Sequence, residues 1–252
     1  MKKSFLGHDR PLLTAMLQAY TPERVEELAA LCRKEGAEAF GMQFCRMKDE
    51  YKSRDTYKKL FSLAGDLPVY VTNYRQGENE GKSDDELAAG LLELAECGAT
   101  LCDVMGDMFD KQDDEMAKDS AAIEKQIKLI DSLHAAGAEV IVSSHIFRFT
   151  PAERVMEIAL EQKRRGADIC KIVSGADSME QQIENLRIVN MLKEKLGIPF
   201  LFLSAGECRI LRRIGGEIGC CMYLCVHEYD ELATPSQPLL RCAKAIRDNI
   251  NI

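Results

Sequence analysis

The sequence has no stretch rich in basic residues and no long apolar run. Its 33 lysines and arginines are interspersed with 41 acidic residues, giving a formal net charge of -8, which argues against a nucleic-acid partner. No apolar segment approaches the roughly 20 residues of a membrane-spanning helix, and residues 1–10 lack the apolar core of a signal peptide. We therefore expect a cytoplasmic protein without a membrane partner.

Metal-binding motifs are missing as well. The ten cysteines include no Cys-x-x-Cys pair, and the four histidines are scattered along the chain at positions 8, 134, 145 and 227. We therefore expect neither a metal site nor a cofactor. Without a secretion signal, the cysteines are interpreted as reduced thiols, several of them core residues.

The sequence does contain an alternation of short apolar runs and longer helical patterns. Eight runs predict strands, at residues 12–17, 39–44, 69–72, 100–104, 140–145, 168–173, 199–203 and 220–225. Nearly every strand is followed by a predicted helix, the last two at residues 206–216 and 237–248. The length of 252 residues is close to the roughly 250 typical of a (β/α)8 barrel. We predict an α/β protein, a TIM barrel formed by one domain over residues 1–252.

Two of these strands each deliver a reactive side chain. The fifth ends at His145, and the sixth places Lys171 among apolar residues. Parallel strands are covered on both faces, so Lys171 should point into an interior. Burial there without a counter-charge lowers the pKa of a lysine, and a neutral amine can form a Schiff base. The alternative for Lys171 is a side chain that extends to solvent at the strand end or pairs with a carboxylate such as Asp168. The alternative for His145 is a histidine that caps the strand end or packs in the core.

The C-terminal ends of barrel strands meet at one face, where barrel enzymes carry out their chemistry. A histidine and a lysine on adjacent strands can therefore share one pocket. The polar loop of residues 76–82 is predicted to be exposed and functional. The candidate site residues at this face are Arg75, Asp103, His145, Lys171, Arg213 and the loop before Gln237.

Residues 140–151, VIVSSHIFRFTP, and residues 166–172, GADICKI, carry a family resemblance. They are similar to the segments vI.S.HdF..TP and GADi.KiA of type I 3-dehydroquinate dehydratases. Residues 204–219, SAGECRILRRIGGEIG, resemble the family run SMg....SRl.GE.fGS, and residues 235–237, PSQ, resemble the end of SAPGQ. The resemblance covers most of the chain and implies a dehydratase of the shikimate pathway.

The resemblance also implies a mechanism. Lys171 would attack the ketone of 3-dehydroquinate to form an iminium ion, which acidifies the neighbouring C–H bond. His145 would remove that proton and then protonate the departing hydroxyl, so that 3-dehydroshikimate is released on hydrolysis of the imine. Arg213 would bind the substrate carboxylate, and Gln237 and Arg75 would hold carboxylate and hydroxyl groups. A surface ion pair is the alternative for each arginine.

The family orients its histidine with a glutamate four residues after the arginine that follows the third strand. Here Arg75 is followed by Glu78 and Glu80, neither at that distance. Glu80 is therefore the expected partner of His145 only if one residue has been inserted. Asp103 resembles the aspartate of the family segment iDiEl and can support the same histidine, or it can be a strand-end acid or helix cap.

Several positions depart from the family pattern. An ungapped alignment replaces a substrate-contacting glutamate by Gly41, an arginine by Gln43 and the serine of SAPGQ by Ala233. Each lost polar partner costs on the order of 1–3 kcal/mol in a desolvated site. Three functions remain: a divergent 3-dehydroquinate dehydratase, a Schiff-base lyase for a related hydroxylated keto acid, and a homologue that binds a keto acid without turnover. Each of these functions implies a small-molecule partner. The family resemblance also implies a homodimer.

Overall fold

The computed structural model describes residues 3–250, and its eight strands form one parallel sheet. The strands are β1 (Leu12–Leu17), β2 (Ala39–Gln43), β3 (Val69–Thr72), β4 (Leu101–Met105), β5 (Glu139–His145), β6 (Ile169–Gly175), β7 (Phe200–Ala205) and β8 (Met222–Cys225). Their order follows the chain from β1 to β7, and β8 pairs with β1. The sheet is therefore a nearly closed (β/α)8 barrel, which confirms the predicted fold class.

Within residues 3–250, eight α-helices alternate with the strands. They are α1 (Pro22–Glu35), α2 (Arg54–Ser62), α3 (Asp84–Glu96), α4 (Ser120–Ala135), α5 (Ala152–Arg164), α6 (Met179–Lys195), α7 (Leu211–Ile218) and α8 (Leu240–Asn249). Local signals set several helix starts: Thr21 caps α1 ahead of Pro22, and Ser83 forms a capping box with Glu86 at α3. None of the helices in the described part of the chain combines the length and hydrophobicity that a membrane crossing requires.

The last two helices begin later than predicted. Helix α7 begins at Leu211 and not near residue 206, and α8 begins at Leu240 and not near residue 237. The residues before each helix instead extend the loops at the C-terminal face of the barrel.

Side chains of the strands alternate between the barrel interior and the layer of helices. In β6, Lys171 and Val173 line the interior, whereas Cys170 points outward and its Sγ donates to the carbonyl of Ala159 in α5 at 3.2 Å. Lys171 therefore points into the interior, as its strand context predicted.

A long loop, residues 106–119, joins β4 to α4 and folds back over the barrel. Arg165 holds it, because Nη1 donates to the Gly106 carbonyl at 2.9 Å and Nη2 donates to the Ala117 carbonyl at 2.8 Å. Gly106 is required at this point, since a Cβ there would lie 2.4 Å from the carbonyl oxygen of Glu115. The fold of this loop brings Glu115 to the end of β5.

Candidate active site

A cavity of about 610 Å³ opens at the C-terminal face of the barrel. Strand ends and the loops that follow them form its walls. Of the residues predicted for the site, Lys171, His145, Arg75 and Gln237 line this cavity. Glu80 and Arg213 are not among its described lining residues.

Lys171 is only 3% exposed, and three polar groups surround its amine. The Nζ donates to Tyr70 Oη at 2.9 Å, to Tyr74 Oη at 2.8 Å and to Asp103 Oδ2 at 3.0 Å. Both tyrosine hydroxyls in turn donate to Asp103 Oδ2, and Ser143 Oγ donates to Oδ1 at 2.5 Å. An ammonium group has three N–H donors, so this arrangement uses all of them.

Of the alternatives left open for Lys171, the structure shows a buried lysine paired with a carboxylate, and the partner is Asp103. Burial alone would raise the pKa of the Asp103 carboxyl, but the Lys171 ammonium and His145 hold that pKa below its usual value. Burial, together with Asp103, raises the pKa of both tyrosine hydroxyls well above the ordinary value, so the tyrosines stay protonated. Asp168, the other partner considered, lies instead 2.9 Å from the Nε2 of His134.

Glu115 orients His145 at the end of β5. The Nδ1 of His145 lies 2.9 Å from Glu115 Oε2, and the same oxygen accepts the backbone N–H of His145 at 2.6 Å. Because a carboxylate only accepts hydrogen bonds, Nδ1 carries the proton and Nε2 remains free as a base. Glu115 has a φ of +45°, which is uncommon for a residue with a side chain, and Ser144 Oγ donates to its carbonyl at 3.0 Å.

Glu80, the expected partner of His145, does not contact the histidine in the structure. After β3 the chain makes a 3-10 turn, Gly77–Asn79, that leaves both Glu78 and Glu80 exposed. Within residues 3–250, Glu115 is the carboxylate that contacts His145. The loop after β4 thus supplies the group that the family spacing had placed in the loop after β3.

Arg75 lines the cavity, but two aspartates already occupy its guanidinium group. Its Nε and Nη2 donate to Asp84 at 2.6 and 2.7 Å, and its Nη1 donates to Asp107 at 2.8 Å. Burial would lower the pKa of Arg75, but hydrogen bonds to the two carboxylates raise it above its ordinary value. Arg75 therefore ties the start of α3 to the loop after β4, and four of its five N–H donors bond within residues 3–250.

Arg212 faces the cavity in place of the predicted Arg213. The two are consecutive in α7, where side chains point about 100° apart. Arg212 is 8% exposed and its Nε donates to the Ser204 carbonyl at 2.6 Å, whereas Arg213 is exposed. Burial and the neighbouring Arg209 lower the pKa of Arg212 to about 10. No carboxylate in the described part of the chain contacts Arg212.

The positions that depart from the family pattern give the cavity a different wall. A Cβ on Gly41 would lie 2.2 Å from the Sδ of Met16, which itself lines the cavity. A thioether therefore fills the space of the family's glutamate side chain. Gln43 and Gln237 also line the cavity, and the buried Oε1 of each has no hydrogen-bond partner among residues 3–250. Ala233 lies in the loop between β8 and α8, next to the lining segment 234–237.

Sequence reasoning missed Tyr70, Tyr74, Glu115 and Arg212. A signal existed for Arg212: in the family run, counting back from Gly219 gives Arg212, whereas counting back from Gly216 gives Arg213. The alternation of side chains along β3 also predicts that Tyr70 lies on the interior face. Glu115 had no comparable signal, because the loop that carries it shows no periodic pattern.

The fold and the cavity together define a (β/α)8 barrel built around a buried, ion-paired lysine. Residues 16–248 match the family model described as Type I 3-dehydroquinase. Because this match covers most of the chain, the chain belongs to the type I 3-dehydroquinase family.

Individual relatives are distant. A 3-dehydroquinate dehydratase of Alkaliphilus oremlandii is 35% identical over 112 residues, which are 44% of this chain and 43% of that protein. One of Lactiplantibacillus plantarum is 28% identical over 167 residues, which are 66% of this chain and 62% of that protein. The chain thus aligns with less than two thirds of the length of either relative. The crystal structure of 3-dehydroquinate dehydratase from Geobacillus kaustophilus shares the fold, with a TM-score of 0.83, 17% identity and coverage of 98% of this chain and 94% of that chain.

We expect Asp103→Asn to lower the free energy of unfolding by about 3–5 kcal/mol, because it leaves the buried Lys171 ammonium without its counter-charge. The depressed pKa of Asp103 means that its contribution is present above about pH 4, the ordinary value of an aspartate, and is lost as the pH falls through the lower folded value. Urea unfolding at neutral and acidic pH measures both effects. Ser143→Ala, which removes a neutral donor to the same charged carboxylate, is the control and should cost less, about 1.5–3 kcal/mol. Equal losses in the two variants would contradict this account.

Proposed function

We propose that this chain is a Schiff-base hydro-lyase that removes water from 3-dehydroquinate to give 3-dehydroshikimate. Family membership supports the reaction. The observation that carries the mechanism is the position of the Lys171 Nζ, which borders the cavity and lies within hydrogen-bond distance of one carboxylate and two hydroxyls. These groups can move protons to and from the amine.

Imine formation requires the Lys171 ammonium to lose two protons, which leave with the ketone oxygen as water. The ammonium first loses one proton, and the lone pair that remains adds to the ketone carbon while the C=O π electrons move to oxygen. Transfer of a second proton from nitrogen to that oxygen gives a carbinolamine. The first proton then joins the hydroxyl, water leaves with the C–O bonding electrons, and the nitrogen lone pair forms the C=N bond, with one proton still on the iminium nitrogen. Tyr74 is placed for this transfer, since its hydroxyl lies 2.8 Å from Nζ and its side chain lines the cavity. It accepts a proton from the nitrogen while donating its own to the departing oxygen, and Asp103 stabilises the remaining positive charge.

His145 then acts as the base. The iminium ion draws electrons from the neighbouring C–H bond, so Nε2 can take that proton and leave an enamine. The imidazolium returns the proton to the leaving hydroxyl, and the enamine electrons restore the iminium as the C–O bond breaks. Glu115 stabilises the positive imidazolium through Nδ1, at 2.9 Å. Hydrolysis of the final imine frees the product and Lys171.

Treatment with 3-dehydroquinate and then borohydride should add one ligand to Lys171, because hydride reduces an iminium to a stable amine. The mass of the peptide that contains Lys171 is the measurement. Lys111→Gln removes the other lysine that lines the cavity and should leave the labelling unchanged. Labelling of another lysine, or none with any keto acid that the protein turns over, would rule out the proposed role of Lys171.

Glu115→Gln should lower kcat by roughly 10-fold or more, because an amide cannot stabilise the imidazolium charge or fix the tautomer of His145. Glu80→Gln is the matched control. It changes the carboxylate that the family spacing favours, which is exposed in the structure, and should leave kcat unchanged. Steady-state assays of both variants decide the matter. A greater loss in Glu80→Gln than in Glu115→Gln would show that the loop after β3 closes over the site during turnover.

A keto acid with fewer hydroxyl groups is the second candidate substrate. The close approach of Met16 to Gly41 favours it, because a thioether cannot replace the hydrogen bonds that a glutamate gives to hydroxyl groups. Apolar side chains from β6, β7 and β8 extend this character around the cavity, at Val173, Leu203 and Leu224.

We expect imine formation with 3-dehydroquinate but a lower kcat/KM than in a family member that keeps the polar side chains. Each 1.4 kcal/mol of lost binding corresponds to roughly a 10-fold decrease. The absorbance of dehydroshikimate in a steady-state assay gives the value. Faster turnover of a less hydroxylated keto acid would identify the second candidate. Binding of a keto acid without any turnover would identify a non-catalytic homologue, and a rate equal to that of such a family member would show that other residues replace the lost contacts.

A further inference from the structure

Positive charge is concentrated in the cavity, although the whole chain carries a net charge of -8. Six cationic side chains line the cavity, against the two carboxylates of Asp107 and Glu115. Two of the cations, Arg75 and Lys171, are ion-paired with aspartates. The other four form no ion pair with any residue from 3 to 250: they are Arg46, Lys111, Arg209 and Arg212. The cavity is therefore suited to a negatively charged ligand.

Arg209 and Arg212 are the part of this positive surface that is fixed in place. The Nε of Arg209 donates to the Gly206 carbonyl at 2.8 Å, and the Nε of Arg212 donates to the Ser204 carbonyl at 2.6 Å. Both guanidinium groups are thus anchored to the same segment at the end of β7. Their Nη groups have no partner in the described chain and belong to residues that line the cavity. Two like charges held in this way repel each other unless an anion binds to both.

The position of these arginines after β7 also indicates an anionic ligand. The loops after the seventh and eighth strands of (β/α)8 barrels frequently bind phosphate groups. Arg209 and Arg212 follow β7, and residues 234–237 follow β8. The side-chain amide of Gln237 is 4% exposed and makes no hydrogen bond within residues 3–250, so it can turn its N–H donors towards an anion.

We propose that Arg209 and Arg212 bind a dianionic group, either a phosphoryl group or a pair of carboxylates. A single carboxylate matches one planar guanidinium in a bidentate pair, which leaves the second guanidinium without a counter-charge. A dianion compensates both. The assignment of this group to the substrate of Lys171 rests on the Schiff-base chemistry of the proposed function. It favours a keto acid other than 3-dehydroquinate, which carries one carboxylate. The anion site itself rests on the two arginines.

Calorimetric titration of the unmodified protein with inorganic phosphate, malonate and acetate tests the proposal. The titrations are run at constant ionic strength and at about pH 8, where phosphate is a dianion. At least one of the two dianions should bind roughly 10-fold or more tightly than acetate, which corresponds to about 1.4 kcal/mol. Tighter binding of phosphate than of malonate identifies a phosphoryl ligand, and the reverse order identifies a dicarboxylate.

Arg209→Gln should weaken dianion binding by roughly 10-fold or more and leave acetate binding almost unchanged, because Arg212 remains. Arg213→Gln is the control, since it removes the same charge from the adjacent, exposed arginine. Equal affinity for acetate and both dianions, or equal losses in the two variants, would overturn the proposal. Binding does not require an imine. A failure of borohydride trapping together with intact dianion binding would therefore reject the proposed function and still support the anion site.

Discussion

The buried ion pair between Lys171 and Asp103 is the interaction on which the rest of the site depends. Moving two charges out of water costs several kcal/mol per ion, and the pair is stable only if its other donors and acceptors are satisfied. Ser143 and the hydroxyls of Tyr70 and Tyr74 meet that condition. These groups come from β3 to β6 and the residues directly after β3, so four neighbouring strands must keep their register. The pairing of β4 with β5 and of β5 with β6, which places Ser143 opposite Lys171, provides it.

The orientation of His145 depends on a second set of contacts, outside the strands. Glu115 reaches the histidine only because residues 106–119 fold back over the barrel, and Arg165, which is 2% exposed, holds both ends of that fold. The left-handed backbone of Glu115 is unfavourable for a residue with a side chain, and three hydrogen bonds around it keep it in place. Arg165, which directly follows α5, holds the loop that carries Glu115, and Glu115 determines which nitrogen of His145 faces the cavity.

The barrel could be predicted because its signals are local. Capping residues, prolines and short apolar runs locate most elements, and the common direction of the strands brings Lys171 and His145 to one face. Partners brought in by loops could not be predicted in this way. Glu115 meets His145 across 30 positions of the chain, through a segment without periodicity. Arg212 and Arg213 are adjacent in α7 and face different directions, so the assignment of a helix to this segment does not by itself show which of them reaches the cavity.

The ion-paired centre and two features of the cavity wall, Met16 and the anchored arginines, come from different parts of the barrel. Asp103, His145 and Lys171 belong to β4, β5 and β6, respectively. Met16 belongs to β1, and the two anchored arginines follow β7. Substitutions at Met16 or at the two arginines therefore leave the Lys171–Asp103 ion pair and the strand register intact. The dependence in the other direction is equally weak, because the carbonyls that anchor Arg209 and Arg212 belong to the end of β7 and its loop, and not to the ion-paired network. Retention of the lysine and the histidine consequently constrains the type of reaction and leaves the shape and charge of the substrate to be set by the walls.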